Sequence, residues 1–156
     1  CEMRAGHAGV EAVRSIFVIV AAGIVALTLA ACASDTEPSP AERAAAWDAQ
    51  NIPPLHYKTD VLAYMRTYLN DPAKIRDAAI SPPVEKTIAG YPGDRFVSCV
   101  RYNARDDKGH YAGDKTGIAV YVNGRLDRYF DTPALVKDAC KDAALTPFPE
   151  MEKLTR

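Results

Sequence analysis

The sequence predicts an α+β domain: a small antiparallel sheet of three to four strands, packed with two N-terminal helices and one C-terminal helix. Three observations carry that prediction. Val61, Leu62, Met65, Tyr68 and Leu69 repeat with the period of a helix. Arg95 to Arg105 (RFVSCVRYNAR) alternates with the period of a strand. Asn123-Gly124 stands between two β-rich runs, the strongest short hairpin signal in the chain.

Taken in order, Ser39-Pro40-Ala41-Glu42 has the form of a capping box with proline at the first helical position, which opens a short helix over Arg43 to Gln50. Trp47 lies on one face of that helix and docks either on its own domain or on something outside it. The folded domain is expected from Leu55. Thr59 or Asp60 caps the amphipathic helix, and Asn70-Asp71-Pro72 ends it. Asp71 then caps a second short helix, with Ile75, Ala78 and Ala79 inward and Ser81-Pro82-Pro83 as the stop. Val84 to Ala89 reads as a strand, and Tyr91-Pro92-Gly93-Asp94 as a turn.

Arg95 to Arg105 has apolar residues on both faces and is therefore placed centrally. Phe96, Val100, Tyr102 and Ala104 share one face; Val97 and Cys99 share the other with Arg95 and Arg101. After a polar loop, Gly117 to Val122 and Arg125 to Asp131 form the hairpin. Val122 should oppose Arg125, Tyr121 oppose Leu126, and Ile118 oppose Tyr129. Thr132-Pro133 opens the last helix, to about Ala143, with Val136, Ala139, Cys140 and Ala143 inward. Thr146-Pro147-Phe148-Pro149 is read as non-helical, packing through Phe148.

Ile16 to Ala31 is an uncharged apolar run preceded by Arg14. As a helix it is about 24 Å long, short of the ~30 Å hydrocarbon core, and it suits the h-region of a signal peptide. Glu2 and Glu11 sit poorly in a basic n-region, so the signal is expected to start at Met3 or Val13. The expected organisation is a signal peptide over 1–31, a tether over 32–54 and one periplasmic α+β domain over 55–156.

At the end of that run, Leu29-Ala30-Ala31-Cys32 resembles the lipobox of bacterial lipoproteins. The resemblance implies cleavage before Cys32 and acylation of its thiol, and hence a membrane partner reached through lipid. Durable attachment takes more than one acyl chain, because each buried CH₂ contributes only about 0.8 kcal/mol. Ala33 stands where an Asp is the inner-membrane retention signal of many enteric lipoproteins, which points to the outer membrane.

The chain also holds Cys1, Cys99 and Cys140. Cys1 falls in the removed segment, so an exported chain keeps Cys99 and Cys140 as a disulfide pair, with two buried free thiols as the alternative. No C-x-x-C occurs, and His56 and His110 are far apart, so no metal and no cofactor is expected.

Charges nearly cancel, with 19 Lys+Arg against 20 Asp+Glu and a net charge of -1. A nucleic-acid partner is not expected, since phosphate neutralisation needs a basic excess. Asp106 to Asp114 fails the EF-hand spacing, and Gly113-Asp114-Lys115-Thr116 fails the P-loop. No G-x-S-x-G occurs, and no catalytic residue is assigned. Arg95, Arg101, Arg105, Arg125 and Arg128 fall on the sheet. They can form a basic strip for anionic envelope material or pair with Asp94, Asp106, Asp127 and Asp131. Arg95, Arg101, Arg105 and Trp47 are the candidate binding residues.

From Ile75 onward, the segments IRDAAISPP, RFVSCVRYNARDDKGHYAG, IAVYVNGRL and ACKDAALTPFPEMEKL resemble small cell-envelope lipoproteins of alphaproteobacteria. The resemblance implies a location and no activity. The order helix–helix–strands is similar to the BamE/SmpA outer-membrane assembly lipoproteins in topology alone. The expected function is a non-catalytic lipoprotein that presents its domain to an envelope protein or cell-wall partner. The alternative is a periplasmic hydrolase using carboxylates of the sheet or its loops.

Overall fold

The structure, a computed structural model of the chain, describes residues 37–155. Its elements are α1 (Pro40–Ala49), α2 (Tyr57–Tyr68), β1 (Asp71–Ile80), β2 (Val84–Thr87), β3 (Asp94–Arg105), β4 (Lys115–Val122), β5 (Arg125–Phe130), α3 (Pro133–Ala139), β6 (Thr146–Pro147) and α4 (Pro149–Glu152). The class is α+β as expected, but the sheet has six strands, in the order β5-β4-β3-β1-β6 with β2 also on β3. All its pairings are antiparallel. The described residues carry four helices, and from Pro38 on they belong to one compact unit. No helix among the described residues is long and apolar enough to cross a membrane.

The capping box forms as the sequence predicts. Ser39 N–H donates to Glu42 Oε2 at 2.7 Å, and Glu42 N–H donates to Ser39 Oγ at 3.2 Å. The amphipathic helix α2 starts earlier than its expected cap. Asp60 lies inside its first turn, and Asp60 Oδ2 instead accepts the Leu126 N–H at 3.1 Å.

The expected second helix is a correction. Residues 71–80 form strand β1. Ile75 and Ala78, three apart as on a helix face, reach the same core as Ile80, because the strand is interrupted by two register shifts. Lys74 and Asp77 take positive φ, 59° and 53°, which rephases the alternation as bulges do. Pairing to β3 outweighs the weak helical propensity of so short a segment.

β1 and β2 lie end to end along one edge of β3, opposite residues 100–105 and 94–97 respectively. Pro82 and Pro83 supply no N–H at the junction. Ser81 covers the gap: its N–H donates to Cys99 O and its Oγ accepts Cys99 N–H, both at 2.9 Å.

The hairpin turns at Asn123 (φ 52°) and Gly124 (φ 70°), as a type I′ turn requires. Val122 opposes Arg125 and Tyr121 opposes Leu126 as expected. Ile118, however, faces Phe130 and not Tyr129, because the register shifts between Val120 and Tyr121. Asp127 is the extra residue of that bulge, and it turns its carboxylate to the Tyr91 hydroxyl.

β3 is two-faced as read. Phe96, Val100, Tyr102 and Ala104 pack with Val61 and Met65 of α2 and Met151 of α4. Val97 and Cys99 pack with Ala139, Leu135 and Val136 of α3. The Cys99–Cys140 disulfide is present, with Cα atoms 5.8 Å apart, and fastens the central strand to the end of α3. The last helix stops at Ala139, short of the expected Ala143. The tail is more ordered than its prolines suggest: Thr146–Pro147 pairs with β1, Pro149 opens the short helix α4, and Phe148 is fully buried.

Gly117 is fixed by packing. A Cβ there would overlap the Tyr129 hydroxyl and lie 2.8 Å from the Phe130 carbonyl oxygen. Gly117→Ala should therefore destabilise the domain by about 1–3 kcal/mol, the usual cost of overpacking. A urea midpoint equal to that of the unchanged protein would contradict this account of Gly117.

Candidate functional site

Strand alternation puts Arg95, Arg101 and Arg105 on the α3 side of the sheet, together with Val97 and Cys99. They do not make a continuous strip. Val97 and Cys99, covered by α3 and the disulfide, divide them into two clusters. Arg95 and Arg101 are six residues apart on one strand, about 20 Å.

The first cluster contains Arg101 and Arg105. Cross-strand register brings Arg76 opposite Asn103 and Ala79 opposite Arg101. The loop after β3 then folds back. Asp106 Oδ1 accepts the N–H groups of Lys108 (2.9 Å) and His110 (2.8 Å). Asp106 N–H donates to His110 O at 2.8 Å, and Tyr111 bridges to Arg105. The His110 N–H holds the Asp106 carboxyl below the usual carboxylate range. This loop, which failed every ligand motif, serves to place Tyr111.

Tyr111 donates to Lys74 O at 2.7 Å. Its ring centroid lies 4.1 Å from the Arg76 guanidinium and 5.5 Å from that of Arg105. Two cations thus share one aromatic ring, each contact contributing about 0.5–1 kcal/mol where exposed. The positive-φ residues Lys74 and Asp77 flank Arg76 on both sides, so backbone strain concentrates where this side chain is aimed. The Nε–H groups of Arg101 and Arg105 are buried without hydrogen-bond partners, while Arg76 is exposed. Arg101 also lines a cleft of about 380 Å³ with Asp77 and Glu152. Arg76 and Arg105 are therefore the two guanidiniums that the fold gathers around Tyr111.

The second cluster is Arg95 with Trp47. Arg95 is fully buried, and the Trp47 ring centroid lies 5.1 Å from its guanidinium. Nη1 donates to Asp94 O at 2.6 Å, but Nε and Nη2 have no hydrogen-bond partner. Each unpaired buried donor costs about 1–3 kcal/mol, and more on a charged group. A desolvated cation–π contact returns about 2 kcal/mol, so Arg95 is held at a local loss. Trp47 belongs to α1, which buries none of its residues fully. The helix is tied down by Asn123 N–H to Gln50 O at 2.8 Å, and just beyond it Asn51 Nδ2 donates to Glu85 Oε1 at 2.7 Å.

The four carboxylates expected to pair with the arginines are engaged elsewhere. Asp94 accepts from the Thr87 hydroxyl, Asp127 from Tyr91 and Asp131 from Tyr68, and Asp106 accepts from its own loop. Burial first, then the Asp127 bond, pushes the Tyr91 hydroxyl up to about 12. Burial also raises Tyr68, Tyr121 and Tyr129, so these hydroxyls stay protonated across the physiological range.

Sequence reasoning missed Arg76 and Tyr111. Arg76 lay in the segment read as helix, and no periodicity links it to Tyr111, which arrives through a loop. Cys32 and its preceding apolar run lie outside the described residues. No cluster of metal-ligating side chains occurs among the described residues. Compared with known proteins, the chain matches no family model, no curated protein and no solved structure.

Proposed function

We propose that the protein is a non-catalytic envelope lipoprotein, anchored at Cys32 and facing the periplasm, more specifically from the outer membrane. It presents a disulfide-stapled domain to an anionic surface of an envelope protein or of the cell wall. The observation that carries this reading is the pair of guanidiniums of Arg76 and Arg105 about the Tyr111 ring. A planar guanidinium already oriented by an aromatic face loses less freedom when it binds a carboxylate or phosphate in a bidentate manner. The apolar run ending in Leu29-Ala30-Ala31-Cys32 supports the anchor. Four carboxylates of the sheet and its loops, Asp94, Asp106, Asp127 and Asp131, accept from hydroxyl or backbone donors, which leaves these four less free to serve as acid or base in the hydrolase alternative.

Two measurements test the two halves. Clickable palmitate should label the unchanged protein and not Cys32→Ala; equal labelling of both would remove the anchor. Crosslinking in intact envelopes should capture a partner that the Arg76→Glu, Arg105→Glu double variant loses at least tenfold. Both side chains are at the surface or partly exposed, so the fold is expected to survive. Undiminished capture by the folded double variant would remove the arginine surface from the reading.

A further inference from the structure

We infer that Arg95 is a second, covered binding position for a small oxyanion, a phosphate or a carboxylate, and that helix α1 is its lid. Three observations converge on it. First, the two donors of Arg95 left without a partner are Nε–H and Nη2–H. These lie on one edge of the guanidinium and form the fork that takes two oxygens of one carboxylate or phosphate. The remaining Nη1 is already fixed on Asp94 O, so the fork is held in one orientation.

Second, the cover is thin. What stacks on Arg95 is Trp47, from a helix with no fully buried residue. Gln50 O and the Asn51 side chain, just past that helix, hydrogen-bond to the hairpin tip and to β2 respectively. Third, the cover stands at an opening. Trp47 also lines a cleft of about 290 Å³ with Tyr91, Val122, Asp127 and Arg128. In the inferred open form a shift of α1 would join Arg95 to this cleft, where Arg128 offers a second guanidinium and the Asp127 carboxylate is held on the Tyr91 hydroxyl. An oxyanion that binds only the uncovered form shifts the population toward it, and it satisfies the two donors that the closed form leaves unpaired.

This position is separate from the Arg76–Tyr111–Arg105 cluster, so its failure would leave the crosslinking result standing. Trp47 is the sole tryptophan of the chain, and its fluorescence therefore reports on the lid directly. The experiment titrates the full chain, in detergent micelles, with inorganic phosphate and separately with acetate at constant ionic strength.

Phosphate should red-shift the Trp47 emission in a saturable manner at millimolar concentrations, as the indole moves toward water, and should raise the melting temperature. Arg95→Met should show neither change while remaining folded. Arg95→Lys keeps the charge but loses the fork, and should need at least ten times more phosphate. An Arg95-dependent shift with acetate as well assigns the position to oxyanions in general; with phosphate alone, it assigns it to phosphate. An equal response in Arg95→Met would reduce the effect to general ion binding and overturn the inference. So would an emission spectrum unmoved by either anion at roughly 0.1 M, where even very weak binding saturates appreciably. Should Arg95→Met fail to fold, Arg95→Lys alone decides: a response identical to that of the unchanged protein overturns the fork.

Discussion

Removing the Cys99–Cys140 bridge, by reduction or by replacing both cysteines with alanine, should lower the stability of the domain by about 4 kcal/mol, the loop-entropy value for a closed loop of about 42 residues. The cysteines are 41 positions apart, so the unbridged unfolded chain regains much freedom. The native state has its own reason to suffer. Helix α3 has seven residues, too few to persist without tertiary support. It covers Ile118, Val120 and Val97, all at most 1% exposed. Without the bridge this helix should be the first element to open, exposing an apolar sheet face. Urea unfolding with and without reductant measures the first effect, and amide exchange in residues 133–139 measures the second. A stability loss under about 1 kcal/mol would mean that the loop is already restrained in the unfolded chain, as residual structure can do.

Phe148→Ala should be comparably damaging, at about 3–5 kcal/mol for a buried aromatic ring. Phe148 has no exposed surface and joins the core formed by Val61, Met65, Ile75 and Ile80. Its N–H donates to Ala78 O at 2.8 Å, and the Lys58 ammonium lies 5.6 Å from its ring centroid. Loss of the ring leaves a cavity between β1 and α2, and it loosens the two-residue strand β6 and the four-residue helix α4 on either side. Leu55→Ala is the matched control. Leu55 is 84% exposed and should change stability by no more than about 0.5 kcal/mol. Similar urea midpoints for the two variants would contradict the core assignment.

What was legible in the sequence was local chemistry. The Ser39–Glu42 capping box, the Asn123-Gly124 turn and the two-faced pattern of residues 95–105 each follow from a few adjacent side chains. What was not legible depends on partners distant in sequence. Ile75, Ala78 and Ala79 fit a helix, and only pairing with β3 and two positive-φ residues make them a strand. Thr146-Pro147 is too short to announce itself as a strand, and it is one because β1 offers a free edge. Among the candidate binding residues, Arg95 and Trp47 were named as separate possibilities, and the fold stacks one on the other. Arg101 and Arg105 were expected to share a strip with Arg95, but Arg105's actual neighbours, Arg76 and Tyr111, come from a neighbouring strand and a folded-back loop.

The placement of β6 also sets an order of events for a chain that emerges N-terminus first from a ribosome. β1 lies between β3 and β6, so its outer edge stays unpaired until residues 146–147 appear. The core still lacks Phe148, Met151 and Leu154 at that stage. The nascent domain can form its hairpin and its β3 ladder early, yet it cannot close. Until those residues have emerged, the exposed strand edge is the point most open to a chaperone or to mispairing with another copy.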